Sequence, residues 1–132
     1  MPPANQAIAV LREVMAGLVR REGPLLTSHQ LAVYLTCYVL DGDHTVRGLA
    51  KELNVSKSII TRALDRLGEL DLARRQLDPA DRRSVIVKRT ARGAELLAEL
   101  RSYAQAVIDQ SQAAPPSAAP SADIEGTPSG SR

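Results

Sequence analysis

Two short amphipathic segments separated by only two residues limit the fold more than anything else in the chain. In "TVRGLAKELNVSKSIITRALDRLGEL", residues 45–70, the positions Val46, Leu49, Ala50 and Leu53 recur at helical spacing, and Ile59, Ile60, Ala63, Leu64 and Leu67 do so again. Between the two patterns lies "NV". Asn54 tolerates the left-handed backbone of a tight turn, and the Ser56 hydroxyl is suited to cap the second helix. Helices joined this closely must cross at a steep angle, which is a helix-turn-helix. Any two packed helices need a turn, so the spacing defines an architecture and leaves its use open.

The next twenty residues of the chain narrow the choice. "LARRQL" and the β-branched "SVIVK" are strand-like, and "DPADRR" between them is turn chemistry, with proline after aspartate and a polar tip. A hairpin attached to the end of a helix-turn-helix is a winged helix. The expected class is mainly α with a small β-hairpin, a winged helix-turn-helix with flanking N- and C-terminal helices for dimerisation.

Upstream, "ANQAIAVLREVMAGLVRR" repeats Ala7, Leu11, Val14 and Leu18, with Ile8, Met15 and Val19 widening the stripe, until Gly23 and Pro24 end the helix. "TSHQLAVYLTCYVL" opens with Thr27 three residues before Gln30, a capping box, and is apolar on nearly every side, so it belongs in the middle of the fold. "DGD", residues 41–43, stops it with a glycine suited to a left-handed cap. From Thr90 helical periodicity resumes through Leu96, Leu97, Leu100, Tyr103, Ala104, Val107 and Ile108. The division expected is a winged-helix domain with its dimerisation helices over residues 1–112. Residues 113–132, rich in Pro, Ala, Ser and Gly, read as a disordered tail.

Composition excludes several classes. The 132 residues contain three Tyr, no Phe and no Trp, so the core is aliphatic and the stacking platforms of single-strand or RNA binders are missing. One cysteine, Cys37, rules out an internal disulfide, and no signal sequence or membrane-length apolar run is visible, as in a soluble protein of a reducing cytoplasm. The formal charge is only +2, yet residues 44–92 carry twelve Lys or Arg against six Asp or Glu. That stretch is +6 and the remainder is net negative. Such asymmetry suits a polyanion, although solvated surface charge is the commoner cause of a basic run.

With Ile59, Ile60, Ala63 and Leu64 inward, the outward face of the second helix is Ser56, Lys57, Ser58, Thr61, Arg62, Asp65 and Arg66. Short polar residues at its start allow close approach to a duplex, its N-terminus favours phosphate, and Arg62 is long enough to reach guanine in the major groove. The plainer reading is a solvated helix face. The hairpin tip would stand level with the adjacent minor groove, where negative potential is concentrated and arginine fits. Arg82 and Arg83 sit there, with Asp81 placed to hold one guanidinium in a local ion pair. Arg74, Arg75, Lys88 and Arg89 lie on the strands, about half of them directed toward phosphates. The plainer alternative is a hairpin whose charged edges discourage aggregation.

Together these segments carry a specific resemblance. "V-S-x-x-x-I-T-R-x-L-D-R-L", the wing "D-P-x-D-R-R-S" and the closing "T-x-x-G" at Thr90 and Gly93 resemble the DNA-binding domain of MarR-type transcriptional regulators, over about residues 25–108. The resemblance implies a two-fold dimer with the helix beginning at Ser56 in the major groove and wing arginines in the minor groove. It marks Ser56, Lys57, Ser58, Thr61 and Arg62 as base-facing, Arg83 as the wing contact and Arg82 as its neighbour. Two departures stand out. One long C-terminal helix replaces the usual pair, and Lys88-Arg89 replaces the usual apolar residue before the closing threonine, which predicts weaker strand packing. A dimer would form from Ile8, Leu11, Met15 and Leu18 against Leu97, Leu100, Ala104 and Val107, an apolar surface too broad for a small monomer to hide.

Other chemistry is poorly represented. Cys37 lies in the most apolar helix and reads as a buried structural thiol before a redox sensor. His29 and His44 lack a carboxylate cluster at ligand spacing, so no metal or other cofactor is expected. Tyr34 and Tyr38, one turn apart, belong to the core or border the pocket of a small-molecule effector. No catalytic constellation is present, and an enzyme is not expected. The function expected is a sequence-specific regulator, a repressor, binding double-stranded DNA as a homodimer at a pseudo-palindromic operator. The rival is a winged helix used as a protein-interaction adaptor.

Overall fold

The computed structural model describes residues 2–113. The tail expected over residues 113–132 lies outside them, apart from Ala113. The elements are α1 (Pro3–Arg20), α2 (Ser28–Val39), β1 (His44–Thr45), α3 (Val46–Leu53), α4 (Lys57–Glu69), β2 (Ala73–Leu77), β3 (Val85–Arg89) and α5 (Ala91–Ala113). This is a mainly helical winged helix. Two compact units make it up: α1 with the part of α5 from Leu100 onward, and the stretch Arg21–Glu99.

In the first unit, Gly17 lets α1 and α5 approach closely, since a Cβ there would lie 2.5 Å from the Tyr103 ring. Gly17, Leu18 and Leu100 are buried. The stripe expected along α1 is only half used within the chain, because Ile8, Leu11, Met15 and Val19 are 64%, 54%, 41% and 65% exposed.

The second unit is built from local signals that agree with one another. Thr27 caps α2 by accepting the Gln30 N–H, and the Gln30 side chain accepts the Thr27 N–H, so the capping box is complete. Thr45 caps α3 by accepting the Gly48 N–H at 2.9 Å. Asn54 takes φ 55° and ψ 49°, the left-handed turn expected between α3 and α4. Leu49, Ile60, Leu64 and Leu67 are buried, each contributing about 2 kcal/mol relative to exposure.

Two expectations change. The end of α2 is not a left-handed cap: Leu40 is extended at φ −90° and ψ 138°, and Gly42, at φ 99°, shapes the following turn instead. That turn leads into β1, a strand absent from the sequence reading. The hairpin is therefore part of a three-stranded antiparallel sheet in the order β1-β3-β2, with His44 opposite Val87 and Ala73 opposite Arg89. Two residues carry no periodicity, so β1 is defined only by the neighbour it pairs with.

The centre of this unit is a junction of polar groups around two buried tyrosines of α2. The Tyr34 hydroxyl donates to Gly93 O at 2.6 Å, and the Tyr38 hydroxyl donates to Leu72 O at 2.7 Å while accepting the Thr90 N–H at 2.9 Å. The Thr90 hydroxyl donates to Asp71 O at 2.6 Å and accepts the Gly93 N–H at 2.9 Å, capping α5. A Cβ on Gly93 would stand 1.8 Å from the Tyr38 hydroxyl and 2.5 Å from the Leu72 carbonyl oxygen. Glycine is needed there for space. Gly93→Ala should lower the unfolding free energy by about 3 kcal/mol or prevent folding, because one of the clashing atoms is backbone and cannot swing away. Urea denaturation followed by circular dichroism checks this.

Candidate nucleic-acid interface

The α3–α4 turn fixes where the outward face of α4 begins. The Ser56 hydroxyl accepts the Ile59 N–H at 3.2 Å and so starts the helix, leaving its own proton free to donate to a ligand. Lys57, Ser58 and Arg62 are exposed, Thr61 is half-buried, and Ile60, Ala63 and Leu64 are buried beneath them. The structure thus brings together Ser56, Lys57, Ser58, Thr61 and Arg62 on one face.

Farther along the helix, the cations are tied up within the protein. The Arg66 guanidinium pairs with Glu69 at 3.0 Å, and Asp65 pairs with Arg75 of β2, linking α4 to the root half of the wing. Arg74 pairs with Asp71 at 3.1 Å. These are exposed or half-exposed pairs, each worth about 0.2–1 kcal/mol, and a polyanion competes with them easily. Arg66 is accordingly paired within the protein, unlike Lys57 and Arg62. Among the described residues, Lys57, Arg62, Arg82 and Arg83 make no ion pair within 4 Å.

The wing tip is stiffened by its own backbone. Asp78 N–H donates to Ser84 O at 2.9 Å and Ser84 N–H to Asp81 O at 2.9 Å. The Asp78 carboxylate accepts the Ala80 N–H, and the Asp81 carboxylate accepts the Arg83 N–H at 3.1 Å. Both are short Asx turns. Asp81 supports the tip, but by a route other than the one expected: it holds the main chain of Arg83, and no guanidinium pairs with it among the described residues. Arg82 and Arg83 are left exposed with their charges turned to solvent.

Arg89 departs from expectation in the other direction. Instead of weakening the strand, its Nε–H donates to Cys37 O at 2.9 Å and its guanidinium lies 5.5 Å from the centroid of the Tyr38 ring. The carbonyl belongs to the last turn of α2, where intrahelical donors run out and positive charge is favoured. Sequence reading missed this role, for which a cation directly before Thr90 gives no signal by itself.

Tyr34 and Tyr38 lie in the core, with ring centroids 4.6 Å apart. Cys37 is buried, and loss of solvation pushes its thiol up to about 11 against a smaller opposing pull from Arg89. The described residues hold no group of three or more His, Cys, Asp or Glu arranged to bind a metal, and no helix among them is long and apolar enough to cross a membrane.

The fold is similar to that of solved transcriptional regulators. Residues 26–85 match the MarR family. They form a MarR-family domain. The chain is similar to the transcriptional regulator Tm0710 from Thermotoga maritima, at 24% identity over 92% of this chain and 84% of that one, with a TM-score of 0.72. It is also similar to MarR itself, at 29% identity over 83% and 80% with a TM-score of 0.59, and to RV1404 from Mycobacterium tuberculosis, at 23% over 85% and 76% with a TM-score of 0.67. Among curated proteins none matches in sequence. The MarR-family fold is that of DNA-binding transcriptional regulators.

A protonated, enclosed thiol is a poor nucleophile. Iodoacetamide at about pH 7.5 should label Cys37 only as fast as the protein unfolds, with rapid labelling in denaturant; mass spectrometry over time checks this.

Proposed function

We propose that this MarR-family chain is a homodimeric repressor that binds a pseudo-palindromic operator in double-stranded DNA. One observation carries the reading: a helix face bearing Lys57, Ser58, Thr61 and Arg62 shares a unit with a stiff turn exposing Arg82 and Arg83, and these cations are not paired internally. Lys57 and Arg62 are assigned to base edges with Ser58 and Thr61, while Ser56 places the helix N-terminus against phosphate. Arg83, with Arg82 beside it, is assigned to the minor groove. Arg66 joins by giving up Glu69.

The dimer is assigned to the open side of α1. Ile8, Leu11, Met15 and Val19 repeat at helical spacing, and so much exposed apolar surface on one helix is costly in water. Of the contacts expected from sequence, Leu18 and Leu100 are buried within a single chain. The face available for a second copy is therefore centred on Met15. A two-fold pair would present two α4 helices to successive major grooves, about 34 Å apart. Repression follows from occupying the duplex, and release by a small-molecule effector would complete the regulation. The site of action would be cytoplasmic.

The adaptor alternative needs neither the polar face of α4 nor an exposed arginine pair at the wing tip. Selection of duplexes from a random pool, followed by gel shift at two salt concentrations, separates the readings: recovery of a two-fold symmetric site supports the regulator, and no enrichment with no shift favours the adaptor. On the selected site, Arg62→Ala should cost about 1–3 kcal/mol and relax preference at one base step, whereas Lys51→Ala, which removes an exposed cation of α3 assigned to phosphate, should weaken all duplexes alike. Equal losses on every sequence for both variants would reject the assignment of Arg62. Met15→Glu should turn the dimer into a monomer in sedimentation.

A further inference from the structure

The wing is a hairpin of two five-residue strands, and its root is a small polar junction. Leu72 immediately precedes β2 and Thr90 immediately follows β3. One hydroxyl joins them: Tyr38 donates to the Leu72 carbonyl at 2.7 Å and accepts the Thr90 N–H at 2.9 Å. The Thr90 carbonyl lies at 3.4 Å, a poorer acceptor for the single phenolic proton. Thr90 closes the same root from the other side through its bond to Asp71 O. Arg89, the last residue of β3, is held on the Cys37 carbonyl and against the Tyr38 ring. Tyr38 is buried, and on α2 it is remote in sequence from every residue assigned to DNA.

We propose that Tyr38 is a positioning residue for DNA binding: its hydroxyl pins both ends of the wing to α2 and thereby sets where Arg82 and Arg83 stand relative to α4. The inference rests on the wing arginines being DNA ligands. The reason is leverage. Five residues of strand place the tip about 17 Å from the root, so a tilt of about ten degrees at the root moves the arginines by about 3 Å, enough to lose a minor-groove contact. The ladder between β2 and β3 keeps the hairpin's shape, while its angle to the body is held by the pairing of β3 with β1, by the Arg75–Asp65 pair and at the root, where Tyr38 contacts both strand ends and Arg89 adds a further point of attachment on the same helix turn.

Tyr38→Phe keeps the ring and removes only the hydroxyl. The test compares wild type, Tyr38→Phe, Arg83→Ala and the double variant on the duplex that wild type selects from a random pool, at a temperature where circular dichroism shows all four folded. Each single variant should lose about tenfold in affinity, the scale of one lost DNA contact, and the double variant little more than either alone. The slope of log affinity against log salt should fall together in all three. Without DNA, amide exchange in β2 and β3 should quicken in Tyr38→Phe. If Tyr38→Phe does not fold, Thr90→Val tests the root from its other side with the same expected pattern, and Thr90→Ser, which keeps the hydroxyl, should restore binding. Unchanged affinity in the hydroxyl-less variant, or losses that multiply in the double variant, would overturn the positioning role while leaving DNA binding intact. Absence of any duplex bound by wild type would instead overturn both.

Discussion

A buried hydroxyl that must satisfy two strand ends at once governs the rest of this structure. Where α4 turns into β2 and β3 turns into α5, the chain brings backbone groups of Leu72, Thr90 and Gly93 into the interior. Each would cost about 1–3 kcal/mol if left without a partner. An otherwise aliphatic core cannot supply those partners. Two tyrosines do, because a phenol carries an apolar ring into the core and a polar tip beyond it. The demand then propagates: Tyr38 needs room, so position 93 carries no Cβ, and Thr90 must both cap α5 and hold Asp71. The closing T-x-x-G is the footprint of that junction in the sequence.

Much of this was legible because it is written in local chemistry. Thr27 with Gln30, Asn54 and Ser56 each act within a few residues of themselves, and the two helical patterns flanking Asn54 leave one way to turn. The family resemblance rests on residues 55–67, the wing and the closing T-x-x-G, which is why the winged helix and the outward face of α4 are anticipated together. The features that escaped are those set by partners far along the chain. β1 exists through its register with Val87 and Ile86. Arg89 finds the Cys37 carbonyl 52 residues away, and Arg75 finds Asp65 across an element boundary. An aspartate two residues before an arginine fits either an ion pair or an Asx turn, and Asp81 makes the second. The backbone bond prevailed, because it is local and leaves both arginine side chains hydrated.

The excess of positive charge over residues 44–92 is also divided more finely than a count suggests. Arg66, Arg74 and Arg75 spend their charge on Glu69, Asp71 and Asp65, and Arg89 spends its own on a helix terminus and a ring. These pairs brace α4, β2 and β3 against one another and against α2. Of the cations left over, Lys57 and Arg62 stand on the outward face of α4 and Arg82 and Arg83 at the wing tip, so that part of the basic stretch serves as a frame and part is presented to solvent.

That division bears on how the operator proposed above would be read. Phosphate attraction alone needs no fixed geometry, whereas discrimination among bases requires donors held in place before contact, so that little ordering cost is incurred on binding. Here the tip is ordered by Asp78 and Asp81, the helix start by Ser56, and the angle between them in part by groups on α2. No single element provides that angle: β1 pairs with β3, Asp65 of α4 pairs with Arg75, and α2 meets both ends of the wing through Tyr38. The apolar core stabilises the domain, and its few buried polar groups help fix the relation between α4 and the wing.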